Sequence, residues 1–145
     1  WKFNALGGKV LAKLIQFHSQ YKFIVLAHNP TGYRELGRLV AQPKLFSPDE
    51  LSRRYLTDFM HALKQVATRK TDANVLMHLQ GFFKKLLPSE ARQELSELIH
   101  QYRLGHAPLL APLTLLKHYL RLHPNDYVAA QRYFEPFPRQ MGLRA

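Results

Sequence analysis

Residues 74–87 read NVLMHLQGFFKKLL, and the spacing of their apolar side chains decides the fold class. Val75, Leu76, Leu79, Phe82, Phe83, Leu86 and Leu87 recur in steps of three and four, so they share one side of a helix. Asn74, His78, Gly81 and Lys85 form a second, polar line, with Lys84 beside it. The first line is expected in a core. The second is expected to face solvent or a partner, with something approaching closely at Gly81, because a mid-helix glycine costs roughly 1 kcal/mol against alanine.

The same period runs outward in both directions. Lys9 to His28 carries Val10, Leu11, Leu14, Ile15, His18, Tyr21, Val25 and His28 on one face. Asn29-Pro30 then marks a cap and a fresh start. A short helix with Tyr33, Leu36, Gly37 and Val40 on one face follows, and Gly37 suggests a close helix contact. Ser47-Pro48-Asp49-Glu50 is a capping box. It opens a helix expected to bury Leu51, Tyr55, Leu56, Phe59, Met60, Leu63 and Val66. Thr71 or Asp72 is expected to cap the 74–87 helix. Ser89 resembles a cap for the next one, whose inner face is Ala91, Leu95, Leu98, Ile99 and Tyr102 and which Gly105 stops. Pro108–Leu122 is leucine-rich, with Thr114, Lys117, His118 and Arg121 as its polar stripe. Pro124-Asn125-Asp126 opens a last short helix through Tyr133. The tail from Glu135 through Pro138 is expected to run extended. The reading is all-α: a single domain, 1–145, of six or seven helices with short loops.

Composition excludes several classes of function. There is no cysteine among 145 residues, hence no disulfide, thiolate zinc site, cluster ligation or cysteine nucleophile in this chain. No apolar run is long enough to span a bilayer, and the N-terminus shows no signal-peptide pattern, which together with the missing cysteine suggests a cytoplasmic setting. A start at Trp1 rather than Met reads as a piece of a longer protein. The eight histidines show no zinc-protease spacing, and Glu97 with His100 is a lone Glu-x-x-His pair, so no metal or other cofactor is expected. Most acids stand where helices start, where the dipole accounts for them, and no catalytic residue is assigned. Gly7-Gly8-Lys9 is a weak fragment of a phosphate loop; a flexible helix start is the simpler reading.

Charge is the strongest positive signal: 21 Lys and Arg against 10 Asp and Glu, net +11. That balance fits a polyanionic partner. The candidate nucleic-acid contacts are Arg34, Arg38, Arg69, Lys70, Lys84, Lys85, Arg103, Lys117 and Arg121. Tyr21, Tyr33, Tyr102, Tyr127 and Tyr133 are candidate stacking platforms, or else core. His28, Tyr33, Asn74, His78, Thr114 and His118 form a candidate pocket if the fold brings them together.

Six segments carry a family resemblance. They are Ala27-His28-Asn29-Pro30, Tyr33 through Val40, Asn74 through Lys85, Tyr102-Arg103-Leu104-Gly105, Pro108 through Tyr119, and Gln131 through Pro138 with Tyr127 before it. Together they resemble the YbgA-like bacterial family, across nearly the whole chain. One departure is Phe137, where the family pattern has histidine. In that family the domain stands alone or follows a cysteine-rich domain similar to an iron–sulfur thiouracil desulfidase, associated with removing sulfur from thiouridine in tRNA. The resemblance implies an accessory tRNA-binding domain that leaves the cluster chemistry to a desulfidase domain or partner. A protein-docking module for a catalytic partner is the alternative, and a small-molecule enzyme using His28, His78 and His118 a third. They differ in what they predict: clustered cations, an apolar patch near Pro108–Leu113, or a deep histidine-lined pocket.

Overall fold

The computed structural model describes residues 2–135, with the side chains of 2–7 and of Pro43 left aside. Phe137 and the tail beyond Glu135 lie outside the described residues. Among those residues there are seven α-helices, two short 3-10 turns and no strand. The helices are α1 Lys2–His28, α2 Pro30–Ala41, α3 Pro48–Ala62, α4 Arg69–Gly81, α5 Ser89–Arg103, α6 Leu110–Leu122 and α7 Asp126–Ala129. None is long and apolar enough to cross a membrane. The backbone groups into two compact units that meet in sequence at Ala67 and Thr68.

The first unit is α1, α2 and α3 packed on one another. Its core is Val25, Leu36, Tyr55, Phe59 and Ala62, with Phe17, Tyr21 and Tyr33 packed against it. The helix start signals hold at atomic detail. Asn29 Oδ1 accepts from the Gly32 N–H at 3.0 Å, with Pro30 at the first helical position. Ser47 Oγ accepts from the Glu50 N–H at 3.3 Å. α1 begins earlier than the sequence reading placed it and runs through Gly7 and Gly8, so Gly7-Gly8-Lys9 is helix and forms no phosphate loop. α3 buries Leu51, Tyr55, Phe59 and Ala62, whereas Leu56 and Met60 are exposed. The apolar spacing allowed two adjacent stripes, and the aromatic one won the core. Val66, past the end of α3, is also exposed.

The second unit is α4, α5 and α6 in mutual contact, followed by α7. Here the 74–87 reading needs correction. α4 starts five residues earlier and ends at Gly81; residues 82–87 continue as tight turns. Phe82 N–H bonds to Leu79 O at 3.2 Å, Phe83 N–H to Gln80 O at 3.0 Å and Leu86 N–H to Phe83 O at 3.0 Å. Three-residue closure rotates each side chain further than an α-turn does. Phe83 and Leu87 therefore stay buried with Val75, Leu76 and Leu79, while Phe82 and Leu86 emerge. Gly81 has nothing within 4 Å of where a Cβ would stand, and neither has Gly37. The close approach is at Gly32, whose Cβ would meet Ala62 Cβ at 2.8 Å.

The caps of the second unit differ from expectation too. Thr68 is the N-cap of α4, in a reciprocal box with Thr71. Pro88, not Ser89, occupies the cap position of α5, without a side-chain bond. α5 ends as the sequence indicated. Gly105 has φ +85, His106 N–H bonds to Gln101 O at 2.8 Å and Gly105 N–H to Tyr102 O at 3.0 Å. That is the paired closure in which a glycine takes the left-handed position. α7 stops at Ala129 and the chain tightens into a 3-10 turn at Arg132–Phe134.

Candidate nucleic-acid interface

The nine candidate cations fall into five places. Arg34 and Arg38 stand one turn apart on α2. Arg69 and Lys70 open α4, and Lys84 and Lys85 follow its end. Arg103 closes α5, and Lys117 and Arg121 lie on α6. All are exposed except Lys117, which is half-buried. Among the described residues the one ion pair is Arg132–Glu135, so none of the nine is neutralised by a neighbouring carboxylate. Exposed cations free of carboxylates can neutralise phosphates and release the counterions condensed on a nucleic acid.

α4 separates two of these places by 13 residues of helix, about 20 Å. Its N-terminal end is built with care. Asp72 is buried and accepts from the Tyr133 hydroxyl at 2.7 Å and, at a longer 3.5 Å, from the Tyr102 hydroxyl. A carboxylate one turn into a helix also gains from the positive end of the dipole. Asp72 thereby fixes the start of α4 to the end of α5 and to the C-terminal 3-10 turn. Above this, the position of the missing Gly105 Cβ lies 3.7 Å from the Arg69 guanidinium. The glycine that lets α5 turn also leaves room for that guanidinium, which brings Arg69 to the end of α5 that carries Arg103. At the other end of α4, Arg92 donates to the Lys84 carbonyl at 3.1 Å and adds a cation beside Lys84 and Lys85.

The candidate pocket residues belong to both units. His28 Nδ1–H donates to the Gln65 carbonyl at 2.7 Å, tying the end of α1 to the segment after α3. Tyr33 is half-buried against the core of that first unit. In the second unit Asn74 is half-buried on α4, His78 is exposed on the same helix, and Thr114 and His118 are exposed on α6. Of the five candidate tyrosines, Tyr102 and Tyr133 are buried and Tyr21, Tyr33 and Tyr127 half-buried. Among the described residues the exposed aromatic is Phe82, its ring 5.5 Å from that of Tyr127.

Sequence reasoning missed three features. Asp72 was assigned to capping; its buried tyrosine partners stand 30 and 61 residues away, beyond any local pattern. Arg54 on α3 lies over the Phe46 ring at 4.9 Å, a contact that helical spacing does not reveal. The third is a recess of about 420 Å3 in the first unit, lined by Asn29, Thr31, Glu35, Asp58, His61 and Gln65 over a floor that includes Gly32 and Ala62. None of His28, His78 and His118 lines it. No group of three or more His, Asp or Glu side chains among the described residues is placed to hold a metal ion.

A helical chain in which, among the described residues, most exposed cations have no carboxylate partner is the class these observations define. A family model described as "Protein of unknown function (DUF1722)" matches residues 22–138. The chain belongs to that family. It is also 41% identical over 138 residues to the uncharacterized protein YbgA of Escherichia coli (strain K12), a match spanning 94% of this chain and 82% of that protein. No solved structure matches.

Proposed function

We propose that this chain is an accessory RNA-binding domain, non-catalytic in itself, that holds structured RNA through phosphate contacts. Transfer RNA is the RNA we favour, and an iron–sulfur desulfidase domain or protein is the catalytic partner it would serve, on the strength of the YbgA-like resemblance. The observation that carries the reading is the set of exposed cations without carboxylate partners in a chain of net charge +11. Phosphate contacts position an RNA without reading its sequence. Those contacts would therefore supply affinity and orientation.

The test is binding of bulk tRNA to the intact chain and to a Lys84→Glu/Lys85→Glu variant, at low ionic strength. Binding by the parent and clear weakening in the variant supports the reading. No binding by the parent removes it, and equal binding removes this end of α4 from the interface.

A docking module is the second reading, and one observation favours it. Leu56 and Met60 are one turn apart on α3 and each more than half exposed. Near Pro108–Leu113, where such a patch was expected, Leu109, Pro112 and Leu113 are buried and only Leu110 is an exposed large apolar side chain.

A further inference from the structure

We propose that the recess between α2 and α3 is a nucleobase pocket that takes a base with an amino group on its Watson–Crick edge, guanine foremost. The proposal rests on the RNA-binding reading and adds a point of base selection to it. At about 420 Å3 the recess falls within the size range of small-ligand sites, on the order of 300–1,000 Å3. Its lining includes Gly32 and Ala62, both buried, and neither carries a side chain longer than a methyl group that would fill the recess.

The walls supply the chemistry. Glu35 and Asp58 line the recess, and neither is ion-paired among the described residues. In a chain with twice as many cations as acids, they are acceptors left open. A carboxylate accepts from an amino group on a base edge and repels a carbonyl oxygen there. Guanine presents N1–H and the 2-amino group side by side, so one carboxylate takes both; adenine and cytosine present one amino group, and uracil a single N3–H flanked by two carbonyl oxygens that a carboxylate repels. Asp58 is half-buried and so better held than Glu35, which makes it the first choice for the base edge. Asn29 already spends its side-chain oxygen on the Gly32 N–H, and its amide nitrogen remains as a donor for a carbonyl oxygen of the base.

The rim supplies the phosphate contact. Thr31 lines the recess, and its hydroxyl accepts from the Arg34 guanidinium at 3.4 Å. Arg34 thus stands beside the opening, where the phosphate of an inserted nucleotide would emerge. An unpaired RNA nucleotide can enter such a site with its base read on the Watson–Crick edge.

The experiment is an NMR titration of the intact chain with 5′-GMP and 5′-UMP, each alone. GMP is expected to bind about fivefold tighter than UMP or better, with shifts centred on Gly32, Asp58 and His61. Asp58→Asn, or Glu35→Gln, should remove that preference, and Arg34→Ala should weaken both nucleotides alike. Equal binding of GMP and UMP, or a preference that survives both acid substitutions, overturns the pocket. The outcome separates from the RNA reading itself: tRNA binding without base preference overturns the pocket alone, and base preference without tRNA binding supports the pocket and overturns the RNA reading.

Discussion

Glycines set the contrast at the scale of single residues. Gly32 and Gly81 both lie in helices, and both invite the question of what comes near. At Gly32 the answer is Ala62 Cβ, 2.8 Å from the position a new methyl group would take. Neither partner is the end of a flexible side chain, so α2 and α3 must part. Gly32→Ala is expected to destabilise the first unit by about 1–3 kcal/mol, the usual cost of overpacking. At Gly81 there is open space, and alanine is the better helix former. Gly81→Ala is expected to be neutral or stabilising by up to about 1 kcal/mol. Denaturant melts of both variants check the pair, and the opposite order would contradict the packing described. Sequence could not rank these glycines, because a residue's own helix says nothing of what stands across from it. Asp72 shows the same limit: its place near a helix start is legible, while its tyrosine partners belong to other elements.

Helices carry the pH behaviour and the separate basic places. His18 on α1 meets Tyr55 on α3 through Nδ1 and the hydroxyl, 2.9 Å apart. Burial, with Lys22 nearby as a smaller influence, lowers the pKa of His18, and burial pushes Tyr55 up. Both groups are therefore neutral around pH 7 and share one hydrogen bond. Because the folded imidazole resists protonation, the unfolded chain binds more protons between the two pKa values. His18 thus contributes stability above its ordinary value of about 6.5, and that contribution is lost as pH falls through the lower folded value. The melting temperature of the first unit should drop between pH 7 and pH 5, and His18→Gln should flatten the drop. An unchanged slope in that variant would assign the acid sensitivity elsewhere. The elements themselves were largely legible: the caps at Asn29 and Ser47 and the stop at Gly105 all stand where sequence placed them. The end of α4 was not, since an apolar period of three and one of 3.6 agree over a stretch as short as 82–87.

Across the whole molecule, charge is the property that unites the two units. Both display exposed, unpaired cations: Arg34 and Arg38 in the first, Arg69, Lys70, Lys84, Lys85, Arg103 and Arg121 in the second. Their identities follow from composition and helical spacing, which is why they could be named in advance. Their freedom from carboxylates depends on tertiary placement and could not. The recess at Asn29 and Asp58 likewise needed α2 laid against α3 before its lining could be seen. The central claim is that these cations meet phosphates, and the salt dependence of tRNA binding tests it most directly. Each phosphate neutralised contributes about −0.7 to −0.9 to the log–log slope of affinity against salt concentration. The account predicts tRNA binding at low salt with a slope of roughly −3 or steeper, which corresponds to about four or more contacts. Absent binding, or a slope near zero, would contradict it.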